Sequence, residues 1–148
     1  MRDDELIDAV AAGLRAYATA PLSTCNVHAW DQTGYEGTAG HVVVRIASGS
    51  QSHIALGDTY LSLQDDVALE IIGILPEADT AVNRRNMVLL REQIVDWLRD
   101  NRVLTAGGHD TLTNAESSID WTYGTSAEGD KLRRYCTVAV TYSKQPGA

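Results

Sequence analysis

Residues 67–75, VALEIIGIL, are apolar at every position except Glu70 and are closed by Pro76. A short apolar run of this kind suits a central strand covered on both faces. A short acidic link then leads into NRRNMVLLREQIVDWLRDN, residues 83–101, in which apolar residues recur at helical spacing. A covered strand feeding a long amphipathic helix restricts the chain to folds that lay helices on a sheet.

At 100° per residue, Met87, Leu90, Ile94, Trp97 and Leu98 fall within about one third of the helix circumference and belong on the sheet. Glu92, Asp96 and Arg99 lie opposite, toward water. Between them runs a second line: Arg84, Val88, Arg91, Val95 and Arg102. It suits a subunit interface, where arginine is enriched and lysine depleted, and it also fits a solvated flank with two incidental valines. Asp79 or Thr80 caps this helix, which the pattern carries to about Leu104, where Gly107–Gly108 follows.

The rest of the chain completes the layout. DDELIDAVAAGLRAYA, residues 3–18, reads as a first helix capped by Asp3 or Asp4, with Leu6, Ile7, Val10, Leu14 and Tyr17 on one face and Pro21 as its stop. Residues 19–40 lack a sustained period, with a short strand around NVHAW. Their Trp30 and Tyr35 either anchor a partner or fold onto the chain's own core. Alternation begins at His41, SGSQS supplies a turn, and HIAL and TYLSL flank a hairpin turn at Gly57–Asp58. Gln64–Asp65–Asp66 fits either a turn or a kink within one long strand. SIDWTY puts Ile119, Trp121 and Tyr123 on one face, GTSAEGD is a loop, and LRRYCTVAVTYS pairs back antiparallel. The tail, residues 144–148, is loose. The expected fold is one α+β domain over residues 1–148. A mainly antiparallel sheet carries an N-terminal helix and one long helix on a face, in the order helix, several strands, helix, two strands.

Composition bounds the function. A chain of 148 residues with 44% apolar and 22% charged residues can bury a core without staples. No apolar run approaches the roughly 20 residues of a membrane span, and MRDDELIDAV is too acidic for a secretory signal, so a cytoplasmic protein is expected. Two cysteines make no disulfide framework. Cys25 and His28 form a single C-x-x-H without a second ligand pair, so neither metal nor cofactor is expected. The formal charge is −8, which repels nucleic acid from most of the surface. Residues 1–80 carry a net −9 and residues 81–148 a net +1. Acids are gathered at Asp58, Asp65, Asp66, Glu70, Glu77 and Asp79, while all five cations of the long helix are arginine. If the two groups occupy opposite flanks, neighbouring copies pair acid to base, head to tail, and close into a ring when the rotation permits.

Motifs for chemistry are missing: no G-x-S-x-G, no phosphate loop, no H-E-x-x-H. Asp65 and Asp66 with Glu70 and His53 offer carboxylates and a base. Adjacent strand residues point to opposite faces, however, so the two aspartates serve one substrate only within a turn. His109–Asp110 reads as loop, and Trp97 and Trp121 as packing. No enzyme is expected.

The passage VALEIIGILPE, its acidic link, the helix NRRNMVLLREQIVDWLRDN and the closing hairpin ending in RRYCTVAVTYS resemble the layout of the tail terminator (tail-completion) proteins of long-tailed bacteriophages and phage-like particles. The resemblance covers residues 1–18 and about 41–143; the loop 19–40 is longer than that layout requires, and no residue signature accompanies it. It implies a virion protein of the neck, assembled in the host cytoplasm as a six-fold ring. Such a ring caps the tail tube, stops its polymerisation and joins tail to head, with the tail tube protein and a head-completion or neck protein as partners. DNA passes through without specific binding. On that reading Asp58, Asp65, Asp66 and Glu70 supply channel-facing acid, and Arg84, Val88, Arg91, Val95 and Arg102 serve the subunit contact. The alternatives are another head–tail connector or tail-tube component, and a small soluble α+β enzyme or ligand-binding domain with a pocket near His53 or Trp121.

Overall fold

In the computed structural model, which describes residues 2–29, 40–56, 60–75, 81–106, 109–128 and 131–144, two helices lie on one face of a six-stranded sheet. The elements run α1 (Asp3–Arg15), β1 (Asn26–His28), β2 (His41–Leu56), β3 (Tyr60–Leu75), α2 (Ala81–Asp100), β4 (Val103–Ala106), β5 (His109–Glu128) and β6 (Lys131–Lys144). The sheet order is β1-β2-β3-β6-β5-β4, antiparallel throughout except for β1 against β2. This is the expected α+β class.

Alternation along the strands decides which residues meet the helices. Val42 and Val44 of β2, Val67, Leu69 and Ile71 of β3, and Cys136, Val138, Val140 and Tyr142 of β6 share one face and are buried. They join Leu6, Ile7, Val10, Ala11 and Leu14 of α1 and Met87, Leu90, Ile94, Val95 and Leu98 of α2 in one cluster. A fully buried leucine such as Leu69 contributes about 1.5–3 kcal/mol. β3 is central, as its composition predicts, but helices cover only one of its faces. Ala68, Glu70, Ile72 and Ile74 on the other are half-buried.

The boundaries of α1 differ from the sequence reading. Asp3 lies inside α1, not at its cap; Arg2 takes that place, and its backbone N–H donates to the Glu5 carboxylate at 3.1 Å. Asp3, Asp4 and Glu5 fill the first turn at the positive end of the helix dipole. α1 ends at Arg15, well before Pro21, with Ala16 as its C-cap, and the Arg15 guanidinium donates to the Val27 carbonyl of β1 at 2.9 and 3.1 Å.

The long helix stops at Asp100 instead of continuing to Leu104, and residues 103–106 form β4. Asn101 terminates it, with both its backbone N–H and its side-chain amide donating to the Trp97 carbonyl, while the Tyr142 hydroxyl donates to the Asn101 carbonyl at 3.1 Å. The expected caps Asp79 and Thr80 lie outside the described residues.

Four expected breaks are absent. SGSQS and Gln64–Asp66 face each other inside continuous strands, so Gln64–Asp66 lies within one long strand and is not a turn. His109–Asp110 opens β5, and residues 124–128 of the expected loop stay in that strand, paired with β6. Polar residues continue these strands because the cross-strand partner satisfies the backbone whatever the side chain. Among the described residues the ladder takes up its irregularities in three places, between Ile46 and Ser48 of β2, between Leu104 and Ala106 of β4 and between Ala115 and Ile119 of β5.

The strands outrun the helices. Sixteen residues in β2 and in β3 extend about 53 Å at roughly 3.3 Å each. α1 with 13 residues and α2 with 20 span about 20 and 30 Å. The described part of β6, to Lys144, pairs with β3 as far as Asp65, and residues 52–56 and 60–64 form a two-stranded arm with no third strand beside them among the described residues. At the opposite end, Ser126–Glu128 and Lys131–Arg133 project as a second hairpin past the end of β3.

Candidate functional site

The second line on α2 divides. Arg84 and Val88 are exposed, Val88 at 41%. Arg91 leans across to β5, its guanidinium carbon 4.3 Å from the centre of the Trp121 ring and its Nε–H donating to the Tyr123 hydroxyl at 2.9 Å. Val95 is only 1% exposed and belongs to the core, so it is not an outward residue. Arg102 lies beyond the helix end, where the line no longer exists. The reason is width. Gln93 is buried on one side and Val95 on the other, so the buried arc of α2 exceeds half the circumference rather than one third.

Trp121 was expected as packing, but it is 41% exposed, and Tyr123 beside it 48%. Both sit on the helix-bearing face of β5, level with Val138 and Cys136 of β6. At this level β5 is the last of the described strands, and α2 reaches it through its flank. Arg91 therefore covers the indole face by a cation–π contact worth about 0.5–1 kcal/mol at an exposed site. A groove of about 190 Å³ runs beside it, lined by Arg84, Met87, Val88, Tyr123, Arg134 and Tyr135. Trp97 is half-buried and packs against α1 at Gly13.

The acidic group also divides. Asp65 lies on the helix-bearing side of β3 with Val67, while Asp66 and Glu70 lie on the opposite side. Asp66 accepts a hydrogen bond from the Ser143 hydroxyl at 2.7 Å. Glu70 holds the Arg45 guanidinium of β2 at 2.7 and 2.9 Å. On the helix-free face one rung reads Arg45, Glu70, Ala139, Asp120 from one side of the sheet to the other. Asp58, Trp30 and Tyr35 lie outside the described residues. His53 and His109 lie in strands β2 and β5.

Cys25 and His28 engage different partners. The Cys25 thiol donates to the Pro21 carbonyl at 3.3 Å, and burial pushes it up to about 11; burial holds Cys136 up to about 11 as well. His28 Nε2 stands 3.0 Å from His41 Nδ1, with the rings stacked at 5.3 Å. A bond between two imidazoles needs a lone pair on one of them. Burial, then His41, then Arg15 hold the His28 pKa below its ordinary value. The folded chain thus favours the neutral ring. Its contribution is complete above about pH 6.5 and is lost as the pH falls from there through the lowered folded value. The urea midpoint is expected to drop more steeply between about pH 7.5 and pH 5 in the native chain than in His28→Gln. Equal slopes would remove His28 from the account.

Neither Arg45, paired with Glu70, nor Gln93 was singled out by sequence reading. Arg45 had a signal, since the hairpin at Gly57–Asp58 brings β2 against β3 and so sets a cation against the acidic tract. Gln93 had none. No helix among the described residues is long and apolar enough to cross a membrane. No protein-family model matches the chain, and no curated protein matches it.

Proposed function

We propose that the chain is a structural protein that closes into a ring and serves as a tail terminator. The ring caps a tail tube, ends its polymerisation and offers the opposite surface to a head-completion or neck protein, so it resides in the neck of a virion. The observation that carries this reading is the two-stranded arm formed by residues 52–56 and 60–64. A lone two-stranded ribbon is marginal in water, and three strands or a packed layer are needed for it to hold. An arm of this kind is suited to lie on a neighbouring chain.

The charge agrees with a conduit. At −8 the chain repels phosphate, and acid on the helix-free face, at Asp66 and Asp120, would let a duplex slide past without being held. The mechanism is steric and electrostatic; no bond is made or broken. A tail-tube component would share the ring but stack into long tubes, whereas a terminator stops at one layer.

Light scattering on the purified chain is expected to give a mass of about six subunits, with rings visible by negative-stain microscopy. A monomer at micromolar concentration would defeat the proposal, and long tubes would replace it with the tube reading.

A further inference from the structure

We infer that His28 and His41 form an acid-sensitive latch: entry of a second proton into the pair frees β1 from the edge of β2 while the rest of the fold stays closed. The inference goes beyond the ring and holds for a single copy. β1 is three residues long and, among the described strands, pairs with β2 alone, through Asn26–His41, Val27–Val42 and His28–Val43. Short segments at the end of a sheet open at far less cost than the whole molecule. Val27, 8% exposed, anchors β1 in the core, the Arg15 guanidinium grips the Val27 carbonyl, and His28 Nε2 meets His41 Nδ1 at 3.0 Å. Of these fastenings the imidazole pair alone answers to mild acid, since arginine keeps its charge throughout.

Alternation puts both rings on the helix-free face, His28 level with Val43 and His41 two residues earlier. A first proton can be shared, because an imidazolium donates to a neutral ring, and the two titrate as a unit. A second leaves a hydrogen on each facing nitrogen, so the bond is lost and like charges stand 3.0 Å apart. The described surroundings add no acid against the pair. α1 presents Arg15, the turn Leu22–Thr24 carries no charge, and the Cys25 thiol, held up to about 11, stays neutral. β3 sets Ile74 beside His41, with Tyr135 of β6 beyond it, and further along β2 on the same face Arg45 is held by Glu70. Burial, His41 and Arg15 all keep the His28 pKa below its ordinary value. The closed strand thus prefers the neutral ring: the latch holds above about pH 6.5 and weakens as the pH falls from there.

Cys25, the residue before β1, reports the opening. Its half-buried sulfur sits 2.8 Å from where a Cβ on Gly40 would fall, and the Gly40 carbonyl accepts from the Asn26 N–H at 2.9 Å. Cys136, at 0% exposure, reports opening of the whole core. Labelling of both thiols by 4,4′-dithiodipyridine is followed by mass spectrometry, each rate divided by that of the urea-unfolded chain at the same pH. A ring of ordinary pKa passes from about one-tenth to about nine-tenths protonated between pH 7.5 and pH 5.5, so opening that depends on it rises by up to about tenfold. Over that interval Cys25 of the native chain is expected to gain severalfold while Cys136 stays slow. In His28→Gln, or in His28→Thr should the glutamine not fold, Cys25 should be flat with pH whatever its starting rate. A flat native profile overturns the latch. Cys136 rising in step with Cys25 overturns it too, as the whole molecule would then open, and so does a His28 variant that keeps the native slope.

Discussion

Gly13→Val is expected to lower the stability of the protein by about 1–3 kcal/mol, measured by urea unfolding. The sign is not given by helix propensity, since replacing a helical glycine with alanine ordinarily gains up to about 1 kcal/mol. It is set by Trp97. A Cβ on Gly13 would fall 2.6 Å from Cε2 and 2.9 Å from Nε1 of the indole, inside any real carbon contact. The indole is half-buried between α1 and α2, so relief requires the helices to part or the ring to leave its rotamer. Gly13→Ala should already be destabilising, and Trp97→Leu in the same chain should recover most of the loss of either. The two sites touch, so a double-mutant cycle must show coupling. A higher urea midpoint for Gly13→Ala alone would show that the close approach of the helices is dispensable.

A second large effect is expected at Gln93, which no apolar pattern would place indoors. Its side chain is 9% exposed. Its Oε1 accepts from the Leu22 N–H at 3.0 Å and its Nε2 donates to the Ala20 carbonyl at 2.9 Å, tying the middle of α2 to the turn around Pro21. Gln93→Leu keeps the volume and removes both partners from a segment whose Leu22 is buried. An orphaned buried donor or acceptor costs about 1–3 kcal/mol, so the loss should be about 2–4 kcal/mol, with faster hydrogen exchange at the Leu22 amide. Gln93→Glu should be no better, because a carboxylate cannot donate to Ala20. A change below about 0.5 kcal/mol would mean that water replaces the side chain without cost.

The parts legible from sequence were those set by a single period. The apolar faces of α1 and α2, the central place of VALEIIGIL and the pairing of the last two strands all follow from spacing alone. What was not legible depends on neighbours distant in sequence. Val95 looked outward on a helical wheel, yet α2 is buried over a wider arc than one stripe implies. Trp121 looked internal because of its chemistry, yet it stands where the sheet runs out. Register shows the difficulty most clearly. Counting back from the rung Leu56–Tyr60 sets Arg45 opposite Ile71; the irregularity at Ala47 moves it by one residue, onto Glu70. Nothing in ASGSQ announces that extra residue, although the Arg45–Glu70 pair depends on it.

β1 is only three residues long, yet it has already claimed the hydrogen-bonding line of His41, Val42 and Val43, and the last turn of α1 clasps it through Arg15. Any foreign strand sliding lengthwise along β2 meets it as a doorstop at Val44. The shortest of the described strands thus decides where pairing along that edge can begin.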